Sequence, residues 1–321
     1  MSSNRIILGL SIHRPEMVPV LMDWMGSCDR IILEEPPDQD FTQMLTGGIS
    51  IDDYLMQQDL EYPVFSRRMC HLLQKMSARN KIIHQVEPYL DALAGIHDLF
   101  ADGFRPGDIA RNSVQHLVYA AEHNATGALL DFYHVSMSGS FEAMIKAVRH
   151  FARQDAARFR LRDTLRAQAL IELVDDSASI FIEAGMMHYP LRGLLLKQLT
   201  EPERLQTVFL ADASLKRLNV RGRLYGPGDQ LTLLYVFHPE LKWPDREMLL
   251  AARALVYNKL IAKGEREDSE SLPHLRDEKA CIQLVGKLSL DDCGRLYSLI
   301  RKLGRQEAIG IVRKEVSNIE L

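Results

Sequence analysis

Two histidines and a glutamate carry the chemistry this sequence can offer. His13 follows the apolar run of residues 5–12, Glu34 follows Ile31, Ile32 and Leu33, and His188 follows "IFIEAG" and two methionines. Each run is short, rich in β-branched residues and bounded by polar residues, the pattern of a buried strand. Glu35, His84 and Glu87 stand at comparable ends. In an open parallel sheet, functional groups gather just beyond the carboxyl ends of the strands. One histidine at such an end is commonly an ordinary loop side chain. Two histidines and a carboxylate at three separate strand ends form a set with a chemistry of its own.

That set suits a divalent ion. Imidazole nitrogens and carboxylate oxygens from His13, Glu34 and His188 would hold manganese, cobalt, zinc or iron and leave positions for water. The ion would lower the pKa of that water and supply a nucleophile near neutral pH. The same residues can work without a metal, a carboxylate orienting a histidine that takes a proton from water. Residue types leave both routes open. Strand alternation sends Glu34 and Glu35 to opposite sides, so at most one of the two faces the site. The arginine-rich stretch "RFRLRDTLRAQ" reads as a solvated helix face or, functionally, as Arg162 or Arg166 directed at the site. There it would hold an anionic substrate group or stabilise developing negative charge.

The elements that must position these groups alternate. Strands are expected at 5–12, in "DRIILEEPPD", in "NKIIHQVEPYL", in "ASIFIEAG" and in "LQTVFLAD". Helices separate them, including "RPEMVPVLMDWMGSC", most of 41–79, 108–175 with a break near "HVSMSGS", and "YPLRGLLLKQL". Continuous apolar strands alternating with helices predict an α/β fold, with α+β as the alternative. Its central sheet would be mostly parallel or mixed, flanked by helices. Strand one and the strand near residue 182 are each followed by a histidine and a proline-containing helix start, a faint twofold echo. Beyond residue 220 the pattern turns helical. Asp229 follows a Gly-Pro-Gly turn, residues 245–268 read as a helix, 264–278 as a charged loop, and Ser289 caps a further helix. The expected division is an α/β domain over 1–220 and a helical region over 221–321, packed on it or mediating association.

The chain has 321 residues, 46% hydrophobic and 26% charged, with a formal net charge of −4. That length allows a large core, and that balance gives no electrostatic reason to expect a nucleic-acid partner. Four cysteines lie far apart without a CxxC pair, which fits a reducing compartment rather than a disulfide framework. No run of 18 apolar residues suggests a membrane span, and the N-terminus lacks the features of a secretory signal. A cytoplasmic protein is expected.

The pattern resembles the superfamily that joins erythromycin esterases, ChaN-like haem-binding proteins, and the TraB/PrgY/GumN and Tiki proteins. "LGLSIH" (Gly9 to His13) is similar to its first histidine motif, with Leu10 where the esterase and ChaN branches usually have Glu. "RIILEEP" is similar to its strand-two carboxylate, with Glu34 matching. "RDTLRA" resembles the ChaN-like arginine motif, with Arg166 where Met is common. "GMMHYPLRGLLLKQL" is similar to its GxxH motif and following helix. The resemblance covers roughly residues 5–200 and implies two pseudo-symmetric halves, each contributing a histidine. It implies a hydrolase in which His13, Glu34, Arg162 and His188 are catalytic, with a divalent ion on His13, Glu34 and His188. The substrate would be a small molecule or peptide. The alternatives it implies are binding of haem or another small ligand, and a catalytically inactive regulatory member. At Leu10 the motif lacks its carboxylate, which Glu16 or Glu35 would have to supply. The C-terminal helices are candidates for a homodimer interface.

Overall fold

The computed structural model describes residues 4–58, 60–174, 178–240, 243–266 and 271–319, the last without the Ile319 side chain. Five strands form one sheet: β1 (Ile6–Ser11), β2 (Arg30–Leu33), β3 (Ile82–Gln85), β4 (Ile180–Gly185) and β5 (Leu205–Phe209). Their order is β3-β2-β4-β1-β5, and every pairing is parallel. The fold is α/β, as the continuous apolar strands indicated. Parallel strands need crossovers, and these cover both faces with helices.

β1 and β4 are central neighbours, with Ile6 opposite Ile180 and Ser11 opposite Gly185. From β1 the chain runs through a 3-10 turn (Pro15–Met17) and a helix (Val18–Gly26) to β2. From β4 it runs through a 3-10 turn (Met186–His188) and a helix (Pro190–Gln198) to β5. The two connections leave the centre in opposite directions. With one hand of crossover they must lie on opposite faces, and they do. Leu21 and Met25 pack with Ile7, Ile31 and Phe181 on one face. Leu191 and Leu195 pack with Ile6, Leu8 and Ile182 on the other. The twofold echo in the sequence is thus a pair of strand–turn–helix–strand units about the β1–β4 seam.

The first face is completed by helices Phe41–Thr46, Ile51–Met56 and Pro63–Ser77, which contribute Phe41, Tyr54, Phe65, Met69 and Leu73 to its core. The second carries Ala167 and Leu170 from the long helix Phe141–Leu173. Gly9 is required where it stands: a Cβ there would lie 2.4 Å from Cζ of Phe181, whose ring occupies the glycine's side.

The chain divides into two compact units, 1–119 with 160–213, and 120–159 with 214–321. Residues 120–159 therefore count with the C-terminal helices rather than with the contiguous 1–220 expected from sequence. The change of unit falls inside helices Val114–Ser138 and Phe141–Leu173, where composition does not shift and no linker marks it. Among the described residues the second unit holds helices and no strand. Its core includes Leu231, Leu255, Cys281, Leu296 and Val312. Its helix Pro227–Phe237 starts as the sequence suggests, with Asp229 accepting the Gly226 N–H at 3.1 Å. The segment expected as a charged loop, 264–278, is helical from Pro273, because proline fits the first turn of the helix Pro273–Gly286. Residues 267–270 of that segment, of which 267 and 268 also end the expected 245–268 helix, lie outside the described residues. The helix itself closes at Leu260.

Candidate functional site

The carboxyl ends of β1, β2 and β4 converge within the first unit. A Cβ built on Gly185 would stand 3.5 Å from Cδ2 of His188, 3.6 Å from Oε2 of Glu34 and 3.8 Å from Cε1 of His13. The three groups singled out in the sequence therefore surround one glycine, whose missing side chain leaves room between them.

Glu34 is the anchor of the cluster. Ile32 faces the layer of Ala167 and Leu170, and two residues on, Glu34 turns to the same side. There its Oε1 meets His188 Nε2 at 2.8 Å and Arg162 Nη2 at 2.8 Å. Its Oε2 accepts the Gly185 N–H at 2.5 Å and lies 3.3 Å from Arg166 Nη1. Burial would raise its pKa, but His188 and the two guanidiniums outweigh that and hold it well below the usual carboxylate range.

His188 is buried between two carboxylates, Nε2 on Glu34 and Nδ1 on Asp163. Burial favours its neutral form, yet Glu34 and Asp163 together push its pKa up to about 9. It is an imidazolium at neutral pH, and both ring nitrogens are committed. Arg162 and Arg166 come one helical turn apart from the helix Phe141–Leu173. Arg166 is fully buried, donating to Val86 O at 3.0 Å and Glu183 O at 2.6 Å. Arg162 Nε pairs with Glu87 Oε2 at 3.3 Å and keeps 21% of its side chain exposed. Glu87 is fully buried, neither carboxylate oxygen accepts a hydrogen bond, and burial raises its pKa against the pull of both arginines.

His13 has a different partner. Its Nε2 lies 2.9 Å from Oε1 of Glu183, with 32% of the His13 side chain exposed against 6% for Glu183. Glu183 Oε2 in turn accepts the Glu34 N–H at 3.3 Å. The His13 ring stacks on Phe65 with centroids 5.2 Å apart. Burial would lower its pKa, and the Glu183 charge and hydrogen bond overcome this to raise it.

Sequence reasoning thus brought His13, Glu34, Arg162 and His188 together but missed Glu183 and Asp163. Glu183 had a signal: it is the one charged residue in "IFIEAG", an otherwise buried strand. Asp163 sits beside Arg162 in a charge-rich helix, where a carboxylate draws no notice. Neither Glu16 nor Glu35 meets His13 as a hydrogen-bond partner; Glu183 does. Glu35 turns to the first face and accepts from Gln85 Nε2 at 3.0 Å. His84 pairs in register with Ile32 on edge strand β3, outside this set. Leu10, in the motif's usual acidic position, is core.

The spacing suited to one ion also differs from the expected set. His13, Glu34 and Glu183 each offer a ligand atom within 4.8 Å of the others, and His188 is not among them. Nitrogen and oxygen donors of this kind fit manganese, cobalt, zinc or iron. Among the described residues no helix is long and apolar enough to cross a membrane. The four cysteines are unbridged and buried.

No protein-family model matches the chain, and no solved structure matches it. Over 286 residues it is 29% identical to an uncharacterized protein of Archaeoglobus fulgidus, an alignment that covers 88% of this chain and 94% of that one.

Proposed function

We propose that the chain is a hydrolase in which His13, oriented by Glu183, takes a proton from the attacking water. The observation that carries this reading is the His13–Glu183 pair: a partly exposed imidazole hydrogen-bonded at 2.9 Å to a buried carboxylate. That is the relation between a general base and the group that orients it. If Glu183 accepts the Nε2 proton, the neutral tautomer carries its lone pair on Nδ1, which becomes the basic atom. Arg162, the partly exposed cation of the cluster, would meet negative charge developing on the substrate. Glu34, His188, Asp163 and Arg166 act as a rigid clamp that fixes the ends of β2 and β4 beneath them. The resemblance to the esterase and Tiki superfamily supports the same reaction class.

A second reading has a specific observation behind it. A divalent ion held by His13, Glu34 and Glu183 would activate the water itself. Against it stands the charge already on Glu34, which is shared among His188, Arg162 and Arg166. An added dication there would face three positive neighbours. The two readings part on one experiment. A panel of esters, lactones and peptides is incubated with wild type and with His13→Ala, in chelator and in manganese, cobalt, zinc or iron. Hydrolysis that survives chelator and is lost in His13→Ala supports the first reading. Hydrolysis that requires the ion supports the second. Equal activity in wild type and His13→Ala removes both.

A further inference from the structure

On the first face, beside His13, lies a cavity of about 390 Å³ lined by the end of β2 and the helices Phe41–Thr46, Ile51–Met56 and Pro63–Ser77. Phe65 belongs both to its wall and to the stack on His13. Glu35 also lines it and acts electrostatically on both Glu183 and His13. The cavity therefore adjoins the pair assigned above to water activation, through Phe65 and Glu35.

Its lining has a definite chemistry. Phe41, Leu55, Leu60, Phe65 and Met69 make an apolar wall. Three carboxylates, Glu35, Asp38 and Asp91, also line it, and among the described residues no lysine, arginine or histidine does. Asp38 is already committed, Oδ1 to the Asp40 N–H at 2.8 Å and Oδ2 to Gln58 at 2.8 Å. Glu35 has Oε2 on Gln85, which leaves Oε1 for a ligand's N–H. Gln85 is itself fixed, its Oε1 accepting the Asp38 N–H at 2.9 Å. A pocket of this volume with few fixed polar groups on an apolar wall is the usual form of a small-molecule site. Its charge pattern repels anions and favours cations.

We propose that this cavity binds the apolar part of a substrate that also carries a positively charged amine, the amine against Glu35 and the apolar part against Phe41, Phe65 and Met69. Calling the ligand a substrate rests on the hydrolase reading; the binding itself does not.

The test is calorimetric titration of the full chain with 4-phenylbutylamine, 4-phenylbutanol and 4-phenylbutyrate. The amine is expected to bind at least about tenfold more tightly than the carboxylate, a difference of about 1.4 kcal/mol. Glu35→Gln is expected to erase the preference of amine over alcohol. Ser66→Trp, which fills the cavity from its half-buried edge, is expected to weaken all three while unfolding at the wild-type temperature. His13→Ala is expected to bind the amine at least as tightly as wild type. No binding, or equal binding of the three probes by wild type, overturns the proposal. Amine binding without any hydrolysis keeps the cavity and removes the hydrolase reading. Hydrolysis without amine binding does the reverse.

Discussion

Nε2 of His188 lies 2.8 Å from Oε1 of Glu34, tying the end of β4 to the end of β2 through an imidazole whose other nitrogen meets Asp163. Removing the imidazole leaves two buried carboxylates facing each other. His188→Ala is therefore expected to cost about 3–5 kcal/mol, the range for breaking a buried ion pair from one side. Urea unfolding of the two proteins measures it. A variant with an unchanged midpoint and slope would show that the clamp does not hold the sheet ends together.

The same imidazole sets a pH dependence. Its folded pKa of about 9 lies above the ordinary 6.5. A raised pKa stabilises the folded chain fully below pH 6.5, and the contribution is lost as pH rises through about 9. At 1.36 kcal/mol per unit, that contribution is about 3 kcal/mol. Glu34 works in the opposite window: its depressed pKa stabilises above the ordinary 4.5 and fails as pH falls. Stability should be greatest between roughly pH 4.5 and 6.5 and decline on the alkaline side, a decline that flattens in His188→Gln. Unfolding curves between pH 5 and 10 check this. A wild-type profile flat to pH 9.5 would contradict it.

The two motif glycines are expected to behave differently. At Gly9 a methyl group would press on the Phe181 ring, so Gly9→Ala should cost about 1–3 kcal/mol, as overpacked cores do. At Gly185 a methyl would make ordinary contacts, the nearest at 3.5 Å, with His188, Glu34 and His13. Gly185→Ala should unfold within about 1 kcal/mol of wild type yet lose most of any activity, because the methyl occupies the space between the reactive groups. Thermal melts beside turnover separate the two effects. Equal destabilisation of both variants would contradict the account.

Much of the fold was legible because parallel strands buried on both faces leave a strong signal. "RIILGLSI", "RIIL" and "IFIEAG" are apolar without alternation, and each became a strand. The site was partly legible for the same reason: His13, Glu34 and His188 stand where such runs stop. The choice of Glu34 over Glu35 was not legible, since it depends on which face Ile32 takes, and helix packing decides that. Glu183 was legible as the one charged residue of an otherwise apolar strand, but it stands inside β4 rather than at its end, where the site residues were sought. The unit boundary left no trace because it runs through continuous helices.

The central claim is that Glu183 makes His13 a base. The most direct measurement is turnover of whichever ester, lactone or peptide wild type hydrolyses, compared in Glu183→Gln. That substitution keeps the shape and removes the charge. The account predicts a fall in kcat of about 10²–10⁴-fold, the usual contribution of a positioned base, with the melting temperature and the Glu34–His188 contact preserved. Turnover equal to wild type in a folded Glu183→Gln protein would contradict it.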